Sequence, residues 1–368
     1  MTPPPLLFLA RLAVFAVVAA TGTAFAADPG IRGAGATFPF PIYVKWAADY
    51  KRETGVDIGY SPIGSGGGVQ QLERGLVDFG ASDAPLARPE LTRLGALQFP
   101  AVIGGVVPVV NISGIRSGDL KLTGSVLADI FLGKIGNWND SAIVALNPGL
   151  NLPNTHITVV HRFDASGTTF LWSEFLSGSN PDWKRKVGAA TVLDWPVGVA
   201  ETGNEGVASS VQRTRTSIGY VEYAYAKQHR LSFASLQNRD GQFVAPSRAA
   251  FEAAALSAPW RSVADLDQLL IDQAGAASWP ITGASFVVLR TRPDDAARTV
   301  EVMRFFDWAQ RRGKRSAIEL DYVPMPDSAV ESIAREWKDQ VRTSGGEPVW
   351  PAAGAALPLA NRSVERAR

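Results

Sequence analysis

The sequence has no cysteine and only three histidines in 368 residues. Without cysteine there is neither a disulfide framework nor a thiolate metal site. The histidines are His156, His161 and His229. His156 and His161 are five apart, so on a strand they face opposite sides and do not converge on one metal ion. An excess of either charge is also missing, with 36 Lys and Arg against 35 Asp and Glu. Bulk charge therefore implies no basic face, and nucleic acid and anionic membrane are poor partners. Neither the P-loop pattern nor G-x-G-x-x-G occurs. The hydrolase elbow G-x-S-x-G is absent too, since Gly80-Ala-Ser-Asp-Ala84 ends in alanine. No internal repeat stands out at solenoid or propeller periods.

What is present is globular: 46% apolar and 19% charged residues, in a chain long enough for two domains. Its start has the pattern of a secretory signal peptide, residues 1–26. Arg11 is the only charge before Asp28, Leu12 to Ala20 forms an apolar stretch, and Ala24-Phe-Ala26 supplies small-x-small. The stretch is short for a membrane span. No cysteine follows it, which excludes a lipid anchor on cysteine. Removing Arg11 with this segment leaves 35 basic and 35 acidic residues. The expectation is a soluble, exported protein of the periplasm.

The rest alternates strand and helix patterns. Ile58-Gly-Tyr60, Val77-Asp-Phe79, Ile157 to Val160 and Phe286 to Leu289 read as strands. Ala101 to Asn111 is a nearly unbroken apolar run, as in a strand buried on both faces. Val302, Phe305, Phe306 and Ala309 make a helical stripe. Ser328-Ala-Val-Glu331 predicts a capping box, followed by Val330, Ile333, Ala334 and Trp337 at helical spacing. Residues 346–368, rich in Pro, Ala and Gly, read as a disordered tail.

Three Gly/Ser/Thr-rich segments each open a helix: Gly33-Ala-Gly-Ala-Thr-Phe-Pro39, Gly64-Ser-Gly-Gly-Gly68 and Ser166-Gly-Thr168. Helix N-termini offer unpaired N–H groups and a partial positive charge, and so receive oxyanions. Small residues let a tetrahedral ion approach the backbone, and Ser or Thr hydroxyls add donors. Any one segment is equally an ordinary N-cap or glycine turn. Two charges sharpen the pattern. Arg162 ends the strand that leads into Ser166-Gly-Thr168, and Asp164, two residues on, is placed to pair with its guanidinium. Asp83 lies at the C-terminal edge of a strand, where α/β sheets place ligands. Taken by itself it also suits a turn or N-cap before Pro85.

Gly33 to Pro39, Asp78-Phe-Gly-Ala-Ser-Asp-Ala-Pro85, Phe99-Pro-Ala-Val-Ile-Gly-Gly-Val106 and Asp164-Ala-Ser-Gly-Thr168 resemble the signatures of the PstS family. Its members are the phosphate-binding proteins of a high-affinity ABC importer. Gly219-Tyr-Val-Glu-Tyr-Ala-Tyr-Ala226 and Phe305-Phe-Asp-Trp308 match as well, and the resemblance runs from about Gly33 to Arg342. It implies phosphate contacts from Thr37, Phe38 (through its backbone N–H), Ser65, Asp83, Arg162, Ser166, Gly167 and Thr168. Asp164 is implied as the salt partner of Arg162. The chain departs from the family pattern at Gly66, His161 and Phe163.

The resemblance also implies a two-lobed α/β periplasmic binding fold of type II, whose chain crosses between lobes near Ile103-Gly-Gly105 and near Trp279 to Ala284. Residues 27–103 with 281–345 would form lobe I, and residues 104–280 lobe II. The expected ligand is inorganic phosphate, with sulfate, arsenate or molybdate as alternatives. Membrane permease subunits are the expected partners of a monomer without cofactor or metal. Against this stand a secreted phosphatase, for which no nucleophile and base are evident, and a surface adhesin built on the same fold.

Overall fold

The computed structural model describes residues 30–257 and 267–350. The signal-peptide reading of residues 1–26 falls outside them. At the centre is the strand Ala96–Val110, buried at every residue. It takes in the apolar run of the sequence except Asn111 and extends it by five residues at its start. Only a strand covered on both faces tolerates such a sequence.

This strand serves two groups of elements. Its first part, Ala96 to Gly105, pairs antiparallel with Thr282–Arg290. Beyond that lie the parallel strands Phe79–Ser82, Ile31–Gly35 and Ile58–Pro62. Its last part, Val106 to Val110, pairs antiparallel with Ser217–Glu222. Beyond that come Thr158–Arg162 and Val199–Glu201. The chain thus passes from one group to the other through Gly104 and Gly105. It returns at Trp279 to Thr282, where the Trp279 indole N–H donates to the Val106 carbonyl at 2.9 Å. The two glycines have a packing reason. A Cβ on Gly104 would meet the Phe38 ring at 2.9 Å, and one on Gly105 would meet the Phe251 ring at 2.2 Å.

The first helix, Phe40–Thr54, follows Pro39 and stops at Gly55, which takes a left-handed conformation (φ 77°) and caps Lys51 O at 2.8 Å. The helical stripe of Val302, Phe305, Phe306 and Ala309 is buried. Phe306 meets Tyr43 and Phe79 edge-on, at centroid distances of 5.6 and 5.1 Å.

Three local readings need correction. The strand expected to start at Val77 starts at Phe79. The Asp78 carboxylate there accepts the Arg32 N–H and pairs with the Arg298 guanidinium. The Ser328 capping box does not form, because the last helix already begins at Asp327 after an extended Pro326. Val330, Ile333 and Trp337 are nonetheless buried as expected, while Ala334 is half-buried. The tail expected from residue 346 onward is packed as far as Trp350. Val349 N–H donates to Val341 O at 3.0 Å, and the Trp350 ring lies 5.0 Å from that of Trp337. Residues 351–368 lie outside the described residues.

Candidate functional site

Local sequence places the polar groups, and the crossing strand brings them together. Thr37 and Phe38 lie between the strand Ile31–Gly35 and the helix Phe40–Thr54. Ser65 opens the helix Ser65–Glu73 behind Gly64, whose φ of 86° favours glycine. Asp83 follows the strand Phe79–Ser82 directly. Arg162 ends the strand Thr158–Arg162, and Ser166 caps the helix Gly167–Ser179 by accepting the Thr169 N–H at 3.0 Å. All three small-residue segments therefore do open helices.

They also converge. Ser65 Oγ accepts the N–H groups of Asp83 at 3.2 Å and Gly167 at 3.0 Å. Gly66 N–H donates to Ala165 O at 3.1 Å. A Cβ on Gly167 would stand 2.6 Å from Asp83 Cβ, so only glycine allows this approach. Thr37, Ser65, Asp83, Arg162, Ser166 and Thr168 are all buried. The Phe38 N–H has no partner among the described residues, while its carbonyl accepts from the Tyr322 hydroxyl at 2.7 Å.

The charges are arranged unequally. Arg162 is 3% exposed and so is held out of water. Its Nε donates to Asp164 Oδ1 at 2.6 Å and its Nη2 pairs with Oδ2, the fork expected from the two-residue spacing. Its other terminal nitrogen, Nη1, is aimed toward Thr168 Oγ1, 3.5 Å away. Burial opposes the Asp164 charge, but the hydrogen bond and charge of Arg162 hold that carboxyl below its ordinary value. Asp83 has the opposite balance. Burial pushes its carboxyl up to about 7, opposed by the Ser285 hydrogen bond and the Arg162 charge. Its Oδ1 accepts from the Ser285 hydroxyl at 2.8 Å, and its buried Oδ2 has no hydrogen-bond partner among the described residues. The result is a cluster rich in donors, with Asp83 Oδ2 left as an acceptor.

A family model for a PBP superfamily domain matches residues 19–311. The phosphate-binding protein PstS of Pasteurella multocida is 52% identical over 320 residues, covering 87% of this chain and 93% of that protein. The PstS protein of Haemophilus influenzae is 52% identical over 318 residues, covering 86% and 95%. The chain belongs to the PstS family. In fold, it is similar to a high-affinity periplasmic phosphate-binding protein solved with bound phosphate. That match has a TM-score of 0.66 at 21% identity and covers 83% of this chain and 93% of the other. The two-lobed binding-protein fold expected from the sequence is the fold of this PstS-family chain.

Sequence reasoning missed four residues of this PstS-family cluster. Asn204 is fully buried and links Thr37, Thr168 and Glu222. Ser285 holds Asp83. Glu222 is buried; its Oε2 accepts from the Tyr322 hydroxyl at 2.8 Å and from Ala224 N–H at 2.9 Å. Burial raises the Glu222 carboxyl well above its ordinary value, against the pull of the Tyr322 hydrogen bond. Tyr225 donates to Thr37 O at 2.7 Å. For Asn204 a local signal existed, since Thr202-Gly-Asn-Glu205 opens the helix Gly203–Arg213. Nothing local marks Ser285, which sits inside a buried strand.

Proposed function

We propose that Thr37, Phe38, Ser65, Asp83, Arg162, Ser166, Gly167 and Thr168 hold one inorganic phosphate, with Asp164 keeping the Arg162 guanidinium in place. The chain is a phosphate-binding component of an ABC transporter and not an enzyme, in keeping with its relatives. The observation that carries the site assignment is the unequal pairing at Asp83. Among the described residues its buried Oδ2 has no hydrogen-bond partner, and it lies amid hydroxyls, helix N-termini and a buried arginine. A tetrahedral anion that still carries a proton matches this arrangement. Its ionised oxygens take the donors and its hydroxyl meets the carboxylate.

In this reading residues 27–103 with 281–345 form lobe I and residues 104–280 lobe II. The ligand then lies between Thr37, Ser65 and Asp83 on one side and Arg162 and Ser166 to Thr168 on the other. A ligand held from both sides favours the closed form by the contacts it makes only there. The closed form is what the membrane permease subunits receive. The protein acts in the periplasm as a monomer after cleavage of residues 1–26.

Calorimetric titration of the protein lacking residues 1–26 tests the assignment. Phosphate should bind at submicromolar concentration and sulfate should not. Equal affinity for the two anions would remove the role given to Asp83.

A further inference from the structure

Asn204 spans the two sides of the cluster, and its orientation is fixed. Its Oδ1 accepts the Glu222 backbone N–H at 2.8 Å. A backbone N–H can only donate, so the oxygen faces Glu222 and the amide nitrogen faces the opposite way. Nδ2 has two hydrogens and two acceptors in reach, Thr37 Oγ1 at 2.7 Å and Thr168 Oγ1 at 3.2 Å. The Asn204 backbone N–H adds a second bond to Thr37 Oγ1, at 3.2 Å.

A hydroxyl has two acceptor lone pairs and one hydrogen. Thr37 Oγ1 receives two hydrogens from Asn204, so both lone pairs are taken. Its own hydrogen must point elsewhere, and no described residue accepts it. Thr168 Oγ1 receives one hydrogen from Asn204 and faces Arg162 Nη1 at 3.5 Å. Ser65 Oγ follows the same rule with two backbone N–H groups. These hydroxyls cannot freely exchange donor and acceptor roles, as an isolated hydroxyl does.

We infer that Asn204 is a positioning residue that directs the hydroxyl hydrogens of Thr37 and Thr168 at the bound anion. The inference rests on the phosphate reading and deepens it. Oxygens facing Thr37 and Thr168 must accept, a role an ionised oxygen fills better than a protonated one, and the ligand's hydroxyl hydrogen is steered to Asp83 Oδ2. Selectivity for the ligand's protonation state thus comes from the polarity of hydroxyls as well as from the carboxylate. Asn204 also couples the two sides, because one amide serves Thr37 and Thr168 together.

A double-mutant cycle on phosphate affinity tests this, using Asn204→Ala, Thr37→Val and their combination, with the fold of each verified by thermal unfolding. Each single change should weaken phosphate binding about 10-fold, the scale of one charge-assisted hydrogen bond. If Asn204 acts through Thr37, the pair should lose no more than about 30-fold, because the second change removes little that remains. A role for Asn204 that does not run through Thr37 gives independent losses that multiply to about 100-fold, and that result overturns the inference. Should the alanine variant fail to fold, Asn204→Ser takes its place under the same criterion. A parent protein that binds no phosphate overturns the underlying reading instead.

Discussion

Ser285 donates a hydrogen bond to Asp83 Oδ1 at 2.8 Å and leaves the buried Oδ2 without a partner among the described residues. One oxygen is thereby fixed and the other is aimed, and the functional reading depends on this asymmetry. At pH 8 Asp83 is mostly ionised, because its carboxyl titrates at about 7. An ionised Oδ2 accepts a hydrogen bond from the phosphate hydroxyl. Sulfate has no proton to give and meets a desolvated like charge. Asp83→Asn should therefore narrow the gap between phosphate and sulfate affinity at pH 8. Titration calorimetry with both anions reads this directly, and an unchanged gap would show that discrimination arises elsewhere.

The same carboxyl makes the stability of the ligand-free protein depend on pH. Burial raises its value in the fold above the ordinary value near 3.8. The neutral form is the one the fold favours, so the contribution is most favourable below pH 4. It declines as pH rises to about 7 and is constant above that. A difference of roughly three pKa units corresponds to about 4 kcal/mol. Urea unfolding of the parent and of Asp83→Asn at pH 5 and pH 8 measures this. Relative to the parent, the variant should gain stability on going from pH 5 to pH 8. A constant difference between the two proteins would contradict the assignment.

Arg162 commits its Nε and one terminal nitrogen to Asp164 and keeps Nη1 for the site. A lysine ammonium is a compact point charge and cannot hold Asp164 with a planar fork while reaching the ligand. Arg162→Lys should weaken phosphate binding by about 1–3 kcal/mol, the range for a hydrogen bond to a charged group. Equilibrium binding of radiolabelled phosphate gives the number. Parent-like affinity would place the ligand away from Arg162.

Gly167 lies where the segments after Arg162 and after Phe79–Ser82 touch. An added Cβ would stand 2.6 Å from Asp83 Cβ, 2.7 Å from Asp83 N and 2.7 Å from Ser65 Oγ. Two of these are atoms of fixed backbone or its first side-chain carbon, so the segments must separate. Gly167→Ala should therefore reduce phosphate affinity by about 10-fold or more, equivalent to roughly 1.4 kcal/mol or more. The melting temperature without phosphate should change little. A variant that binds like the parent would mean that close approach of these segments is not needed.

Small-angle scattering with and without phosphate tests the motion. Loading should lower the radius of gyration, since contacts such as Asn204 to Thr37 and Gly167 to Ser65 join the two sides only when they are together. An identical profile at saturating phosphate would mean that binding proceeds without hinge closure.

Much of this was determined by sequence at short range. The buried strand, the three helix starts and the fork between Arg162 and Asp164 all follow from neighbours a few residues apart, where propensity, capping and the period of a strand govern. The misplaced starts at Val77 and Ser328 and the packed segment 346–350 have a different origin. Pro326, itself a near neighbour, shifted the helix start ahead of Ser328, while the distant Arg298 and Trp337 engage Asp78 and Trp350. Tertiary structure alone decided how Asp83 and Asn204 behave. The partner of Asp83 is 202 residues away, and that of Asn204 in the first segment is 167 away. Desolvation of a carboxyl and saturation of a hydroxyl depend on every group that surrounds them. No sequence period encodes that, because the chain must fold before those groups become neighbours.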